Sequence, residues 1–522
     1  MNEEPRHLVA MGGTTMTVGS LFVAQVQFHP DHVAIEEGER RLTYREFNNR
    51  VNRTCAVLRT LGVGRGIRVA VLSENRSEYL EIQLAGAKLG AIVACQNWRM
   101  AGPELQHCLR LVSPTVLLVS PRHSSKLEGM PLDGAEIVEF GDNWEEMLRR
   151  ASGDEPQIAA EPEDPVLILY TSGTTGLPKG AVLTHRSELA RIMVSPFDLG
   201  VRPGNTNLCW PPLYHMGGTE PALQALLTGG RVIMVDGFQP DIIAEKMETE
   251  RCEWVSIMSG SLAKMIETVE RRGTKPLGLR YCGVMADLSP PHEVEKLARL
   301  LGTHFLNCFG ATETGTPPLS GRQLINGSAA DLGKAPSLFC EVRLVDQNDR
   351  DVADGDTGEL AMRGPTLFSG YWQNAEATAQ DFRNGWFHMG DLFRRRPNGL
   401  YDFVDRAKYM IKSGGENIYP AELERVLVAH PKVSDAVVVR KKDNRWGEIP
   451  VALVVASMTL DVEELRQRCR AELAGYKQPK EIHIVPAHRI TRSTTGKVQR
   501  KALEEWVAAQ DSQTAASQHA GN

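Results

Sequence analysis

Val166-Leu167-Ile168-Leu169-Tyr170-Thr171-Ser172-Gly173-Thr174-Thr175-Gly176-Leu177-Pro178-Lys179-Gly180-Ala181-Val182-Leu183-Thr184 is the stretch from which the fold can be read. The unbroken apolar run from Val166 to Leu169 reads as a strand covered on both faces, the kind found in parallel sheets flanked by helices. It empties into glycines, hydroxyls and one lysine. Gly173 and Gly176 let backbone N–H groups turn inward, Thr171, Ser172, Thr174 and Thr175 offer hydroxyl donors, and Lys179 brings positive charge. Such a loop suits an anion, and polyphosphate above all. The Walker pattern, with glycine directly before lysine and a helix directly after, is absent. Here Pro178 precedes Lys179, and Ala181 to Thr184 reads as strand again.

Working outward, α/β alternation extends in both directions. Thr43 and Glu46 form a capping box, and Phe47, Val51, Thr54, Leu58 and Leu61 follow at helical spacing until Gly62. Arg68 to Leu72 reads as a strand and Glu78 to Leu89 as a helix. The alternation continues to about residue 400 and predicts stacked α/β subdomains with mostly parallel sheets. Beyond Asp405 the pattern becomes a small α+β block. Pro420 starts a helix, 437–439 and 451–455 read as strands, Asp461 and Glu464 cap a second helix, and 482–485 is a last strand. The expected division is a large domain over 1–405 and a small one over 406–522. The tail after Trp506, rich in Ala, Gln and Ser, is expected to be disordered.

The chain has 522 residues, too many for one core, and a formal net charge of -6. That charge gives no general attraction to nucleic acid or to anionic membrane. No apolar run approaches a membrane span, and Glu3 and Glu4 do not fit a signal peptide. The nine cysteines are scattered without CxxC pairs or zinc spacing, which favours reduced thiols and a cytoplasmic setting.

Five further strings carry chemistry. Pro212-Leu213-Tyr214-His215-Met216-Gly217-Gly218 places a histidine among apolar neighbours, a setting that suits a pocket wall and equally a packed core position. Asn307-Cys308-Phe309-Gly310-Ala311-Thr312-Glu313-Thr314-Gly315 offers a carboxylate of the kind magnesium takes beside phosphate oxygens and water, with Phe309 as a stacking surface. Gly385-Trp386-Phe387-His388-Met389-Gly390-Asp391 ends in a carboxylate able to receive two sugar hydroxyls. The fourth string runs from Asp405 to Glu424 through Arg406, Lys408, Gly414 and Gly415. The fifth is Thr494-Thr495-Gly496-Lys497-Val498-Gln499-Arg500.

Taken in order with the opening loop, these strings resemble the ANL adenylating superfamily, in its branch of AMP-forming acyl-CoA synthetases, over nearly the whole chain. The resemblance implies ATP, Mg²⁺ and CoA, with a fatty or aryl carboxylic acid as substrate. Acyl-AMP forms first, and the acyl group then passes to the CoA thiol. It assigns the loop Thr171, Ser172, Gly173, Thr174, Thr175, Gly176 and Lys179 to phosphate. Thr312 goes to the α-phosphate, Glu313 and Thr171 to metal, and Phe309 and Gly310 to adenine. Asp391 and Arg406 hold the ribose. His215 lines the acyl pocket, and Lys497 bridges carboxylate and α-phosphate. Lys408 takes the hinge position, Gly414 and Gly415 border the pantetheine channel, and Lys480, with Tyr476 and Lys477, lies where relatives contact the CoA nucleotide. A charged surface turn accounts equally for that last group. Phosphopantetheine on a carrier protein acting in trans is the alternative acceptor, and a homodimer is compatible with the sequence. One departure stands out. The loop 282–290 carries Met285 and Asp287 where relatives have a Gly-Gly-Ala-Pro-like turn, which predicts a narrower loop with an added charge.

Overall fold

The Val166–Leu169 run lies in the Pro165–Thr171 strand, and all four of its residues are buried. That strand belongs to a six-stranded sheet ordered Glu136–Glu139, Val116–Val119, Arg68–Leu72, Ile92–Gln96, Pro165–Thr171, Lys179–Thr184. Neighbours are parallel except the last pair, which is an antiparallel hairpin with Thr171 opposite Lys179. The computed structural model describes residues 16–132, 134–171, 177–283, 285–287, 289–323, 331–414, 416–456, 460–492 and 498–519; within these, 259, 316–318, 321–323 and 511–519 are described by backbone alone. Ser172 to Gly176, Gly415 and Lys497 lie outside the described residues.

Two more sheets are mixed, the first with two parallel pairs and one antiparallel, the second with two of each. One orders Arg40–Thr43, Val33–Glu37, Arg231–Met234 and Thr206–Cys209. The other runs from Trp254–Val255 through Tyr281–Cys282 and His304–Ala311 to Gly315–Gln323 and Ala335–Pro336. The capping box at Thr43 and Glu46 forms as expected and starts the Tyr44–Thr60 helix. The Ser77–Leu89 helix packs against the six-stranded sheet and the Tyr44–Thr60 helix packs on that helix, with Phe47, Val51, Leu58, Leu80 and Leu84 in one core.

A fourth sheet corrects the expectation of mostly parallel strands. Glu341–Val345, Thr357–Arg363, Trp386–Arg395, Phe382–Arg383 and Tyr401–Arg406 pair only antiparallel. A parallel pair needs a crossover of a dozen or more residues, whereas several of these strands follow one another after short turns. The C-terminal block has its own sheet, with Val433–Asp443 and Gly447–Ala456 as a long hairpin and Glu481–Ile484 parallel to it. Its own core contains Ile411, Leu423, Leu427, Val438, Val454 and Leu465.

Polar contacts join this block to the rest. Asp405 accepts from Arg406 N at 2.6 Å and, at the start of the Pro420–Val428 helix, from Ala421 N at 2.8 Å. Burial pushes its carboxyl up to about 6. Arg425 donates to Phe403 O at 2.8 Å. The tail also departs from expectation. Residues after Trp506 continue the Arg500–His519 helix, in keeping with the high helix propensity of alanine and glutamine. Among the described residues, no helix is long and apolar enough to cross a membrane.

Candidate functional site

The hairpin between His304–Ala311 and Gly315–Gln323 has a three-residue turn, Thr312-Glu313-Thr314, with Ala311 opposite Gly315. Thr314 Oγ1 accepts from Ala311 N at 2.9 Å and fixes the turn. Gly315 has φ +87°, and a Cβ there would stand 2.8 Å from Arg191 Cγ, so both backbone sign and space call for glycine. Arg191 is buried, pairs with Glu220 at 2.8 Å and donates to Thr366 O at 2.8 Å. A buried ion pair therefore backs the turn that carries Glu313.

Glu313 is only 9 % exposed, and its Oε1 lies 3.0 Å from the Tyr371 hydroxyl. The same hydroxyl is 2.9 Å from Asp381 Oδ2. Lys179, at the far end of the phosphate-type loop, places Nζ 4.4 Å from the Tyr371 ring centroid and 3.9 Å from Asp381 Oδ2. The sequence motifs named Lys179 and Glu313 separately, and Tyr371 joins them. Pro178 O lies 3.1 Å from His107 Nε2, tying the same loop end to the Gly102–Val112 helix.

Asp391 is 1 % exposed and faces Arg406 across adjacent strands. Arg406 Nε reaches Asp391 Oδ1 at 2.9 Å and Nη2 reaches Oδ2 at 3.3 Å. The Asp391 charge raises the Arg406 guanidinium further above its ordinary value, and Glu313 contributes in the same direction. The sugar-type pair and the metal-type carboxylate thus lie within electrostatic reach of each other.

The other sequence candidates divide. Thr312 is buried beside Glu313, and Gly310 is exposed. Phe309 is 4 % exposed, with ring centroids 4.8 Å from Phe393 and 5.7 Å from Phe403, so most of its surface already has aromatic neighbours. His215 is the N-cap of the Met216–Leu227 helix, its Nδ1 accepting from Gly217 N at 3.1 Å. Gly414 has φ +59° and donates to Trp446 O at 2.8 Å, while the Trp446 ring covers it. Lys480 is exposed and its N–H donates to Pro450 O, whereas Lys477 pairs with Glu422 at 2.8 Å. Lys408 lies in the short Ala407–Tyr409 turn.

Sequence reasoning missed Tyr371, Asp381, Trp446 and Lys334. Lys334 answers the departure at 282–290. Asp287 is 2 % exposed and pairs with fully buried Lys334 at 2.6 Å, so its charge is neutralised inside the protein rather than presented to a ligand. Ala286 N donates to Asn307 Oδ1 at 2.8 Å, and Met285 packs against the cluster holding Phe309. No sequence signal near Asp287 points to a partner 47 residues away.

The family model described as AMP-binding enzyme matches residues 22–372, and that of the AMP-binding enzyme C-terminal domain matches 422–497. A feruloyl-CoA synthase from an Amycolatopsis species is 33 % identical, over 92 % of this chain and 97 % of its own. An indoleacetate–CoA ligase from Aromatoleum aromaticum is 34 % identical, over 92 % and 96 %. The structure of o-succinylbenzoate CoA synthetase from Bacillus subtilis, in complex with its acyl-adenylate intermediate, superposes with a TM-score of 0.83 at 25 % identity, covering 94 % of this chain and 99 % of that one.

Proposed function

The chain belongs to the AMP-binding enzyme family as an AMP-forming carboxylate–CoA ligase that uses ATP and CoA, and from this premise we propose that its acid carries an aromatic ring and that the residues above perform the two half-reactions. The relatives named for feruloyl-CoA, indoleacetate and 2-succinylbenzoate all take aromatic acids, which supports the first part. One observation carries the second: Tyr371 gathers Lys179 and Glu313, while Arg406 lies in the fields of both Asp391 and Glu313.

A carboxylate is a poor electrophile and repels ATP. Activation therefore requires neutralising charge at the α-phosphate and holding the acid in line with it. In this reading Lys179 takes the outer phosphates, Thr312 donates to the α-phosphate, and Asp391 with Arg406 fixes the ribose. The division we propose, 1–405 and 406–522, gives the small domain Lys497 for adenylation and Gly414-Gly415 for thioester formation. His215 would border the acid and Lys480 the CoA nucleotide.

Mg²⁺ fits the donor set. Among the described residues no group of three His, Cys, Asp or Glu forms a cage, and magnesium prefers one or two carboxylates with phosphate oxygens and water. Glu313 supplies the carboxylate and Thr171 a hydroxyl nearby in the strand before the loop. The ion would supply charge neutralisation on the phosphates. Scattered unpaired cysteines support a cytoplasmic setting.

The test is pyrophosphate release over a panel of carboxylic acids, with and without CoA. Aromatic acids should give turnover at least about tenfold above straight-chain acids of equal carbon number. Preference for straight chains would refute the aromatic assignment, and absence of pyrophosphate with every acid would refute the assigned roles.

A further inference from the structure

We propose that Asp381 is a positioning residue for Lys179: with Tyr371 it forms an internal seat for the ammonium, and the ATP polyphosphate must take Lys179 from that seat. This deepens the ATP-using reading above and rests on it.

The geometry comes from three elements. Lys179 opens the Lys179–Thr184 strand, Asp381 ends the Ala375–Asp381 helix, and Tyr371 lies between Phe368 and that helix. The Lys179 side chain is 15 % exposed and that of Asp381 28 %, so the pair is largely withdrawn from water. Nζ stands 4.4 Å from the Tyr371 ring centroid, within cation–π range, and 3.9 Å from Asp381 Oδ2. The ring and the carboxylate are the partners that a polyphosphate would have to replace.

Tyr371 also links the seat to Glu313. A phenol has one proton and donates to one acceptor at a time, yet two carboxylate oxygens lie at 2.9 and 3.0 Å from this hydroxyl. Two anions so close repel unless a cation lies beside them or one takes up a proton. Lys179 is a cation on the Asp381 side, where Arg383 also acts, and Arg406 acts on Glu313. Burial raises the Asp381 carboxyl above its ordinary value, while the Tyr371 hydroxyl and the Lys179 charge act in the opposite direction. When Lys179 moves to phosphate, the Tyr371 hydroxyl remains on Glu313, so one residue frees the lysine and keeps the metal-type carboxylate in place.

Asp381→Asn keeps the shape of the side chain and removes its charge. Two readouts test the proposal, both on full-length protein checked for an unchanged melting temperature. The first is calorimetric binding of an ATP analogue with a methylene α,β-bridge in the presence of Mg²⁺. The variant should bind about fivefold tighter, because the internal competitor is gone. The second is pulse labelling of amines with acetic anhydride in the absence of nucleotide, read by peptide mass spectrometry. Lys179 should label about fivefold faster in the variant, having lost the carboxylate that helps hold its ammonium in the seat. Unchanged or weaker nucleotide binding, or an unchanged Lys179 labelling rate, overturns the proposal. Tyr371→Phe retains the ring and should leave labelling of Lys179 within about twofold of the parent; a gain as large as that of Asp381→Asn would remove the ring from the seat. A parent protein that does not bind the analogue would instead overturn the ATP-using reading itself.

Discussion

Asp391 and Arg406 meet because the strands Trp386–Arg395 and Tyr401–Arg406 place them opposite each other, so register rather than side-chain reach sets the pair. A carboxylate receiving two hydroxyls makes charge-assisted hydrogen bonds, each worth roughly 1.5–3 kcal/mol. Asp391→Asn keeps the volume but leaves Arg406 without its anion. It should lower kcat/KM for ATP by about ten- to a hundredfold while the KM for CoA moves little. Steady-state kinetics with each substrate varied in turn reads this directly, and an equal loss for both substrates would indicate damage to the fold instead. At this scale the motifs supplied the candidates. Asp391, Glu313 and Lys179 each stand in a string whose residue types fit their chemistry. Tyr371 and Asp381 did not, since their only signal is spatial: Asp381 belongs to a different element from Lys179, and nothing in its neighbours marks it.

Strands and helices were legible wherever burial imposes a pattern. The Val166–Leu169 run predicted a strand covered on both faces and occupies one. The Thr43–Glu46 box and Pro420 each begin a helix. The wholly antiparallel fourth sheet was not legible, because its strands alternate with turns that give no sign of partner or direction until the chain has folded. The tail was misread for a related reason. Its composition lacks an apolar stripe, but alanine and glutamine carry a helix already started at Arg500. The Val433–Asp443 and Gly447–Ala456 hairpin brings Trp446 over Gly414, and a Cβ at Gly414 would stand 2.6 Å from Trp446 Cε3. Gly414→Ala combines that contact with a positive φ, a conformation costing an L-residue roughly 1–2 kcal/mol. It should slow CoA-dependent thioester formation by about tenfold and leave CoA-free pyrophosphate release nearly intact. Comparing the two half-reactions checks this, and equal slowing of both would move Gly414 away from the thiol channel.

For the molecule as a whole, two chemical steps need different groups at one carbonyl, and the proposed division spreads the candidate site residues over a large block and a small one with its own core. The contacts between them among the described residues include polar ones, Asp405 with Ala421 N and Arg425 with Phe403 O, beside the packing of Ala421 against Phe403 and its neighbours. The polar contacts can be exchanged at lower cost than a packed apolar interface. Lys497→Ala isolates the first step. Two unit charges about 4 Å apart interact by roughly 4 kcal/mol at an effective dielectric near ~20, so losing this lysine should slow acyl-AMP formation by orders of magnitude. Supplied acyl-AMP should still be converted to thioester. Loss of both reactions to the same extent would count against a two-conformation cycle.

The sequence by itself carried the order of the motifs, and their resemblance to a known family implied the reaction class, because motif residues stand together along the chain. Tertiary structure alone decided that Asp287 is neutralised by Lys334, that Trp446 covers Gly414, and that Lys179 rests against Tyr371 and Asp381. Charge pairing and ring contact depend on distance through space, and residues far apart along the chain acquire that distance only when the sheets and helices between them have packed.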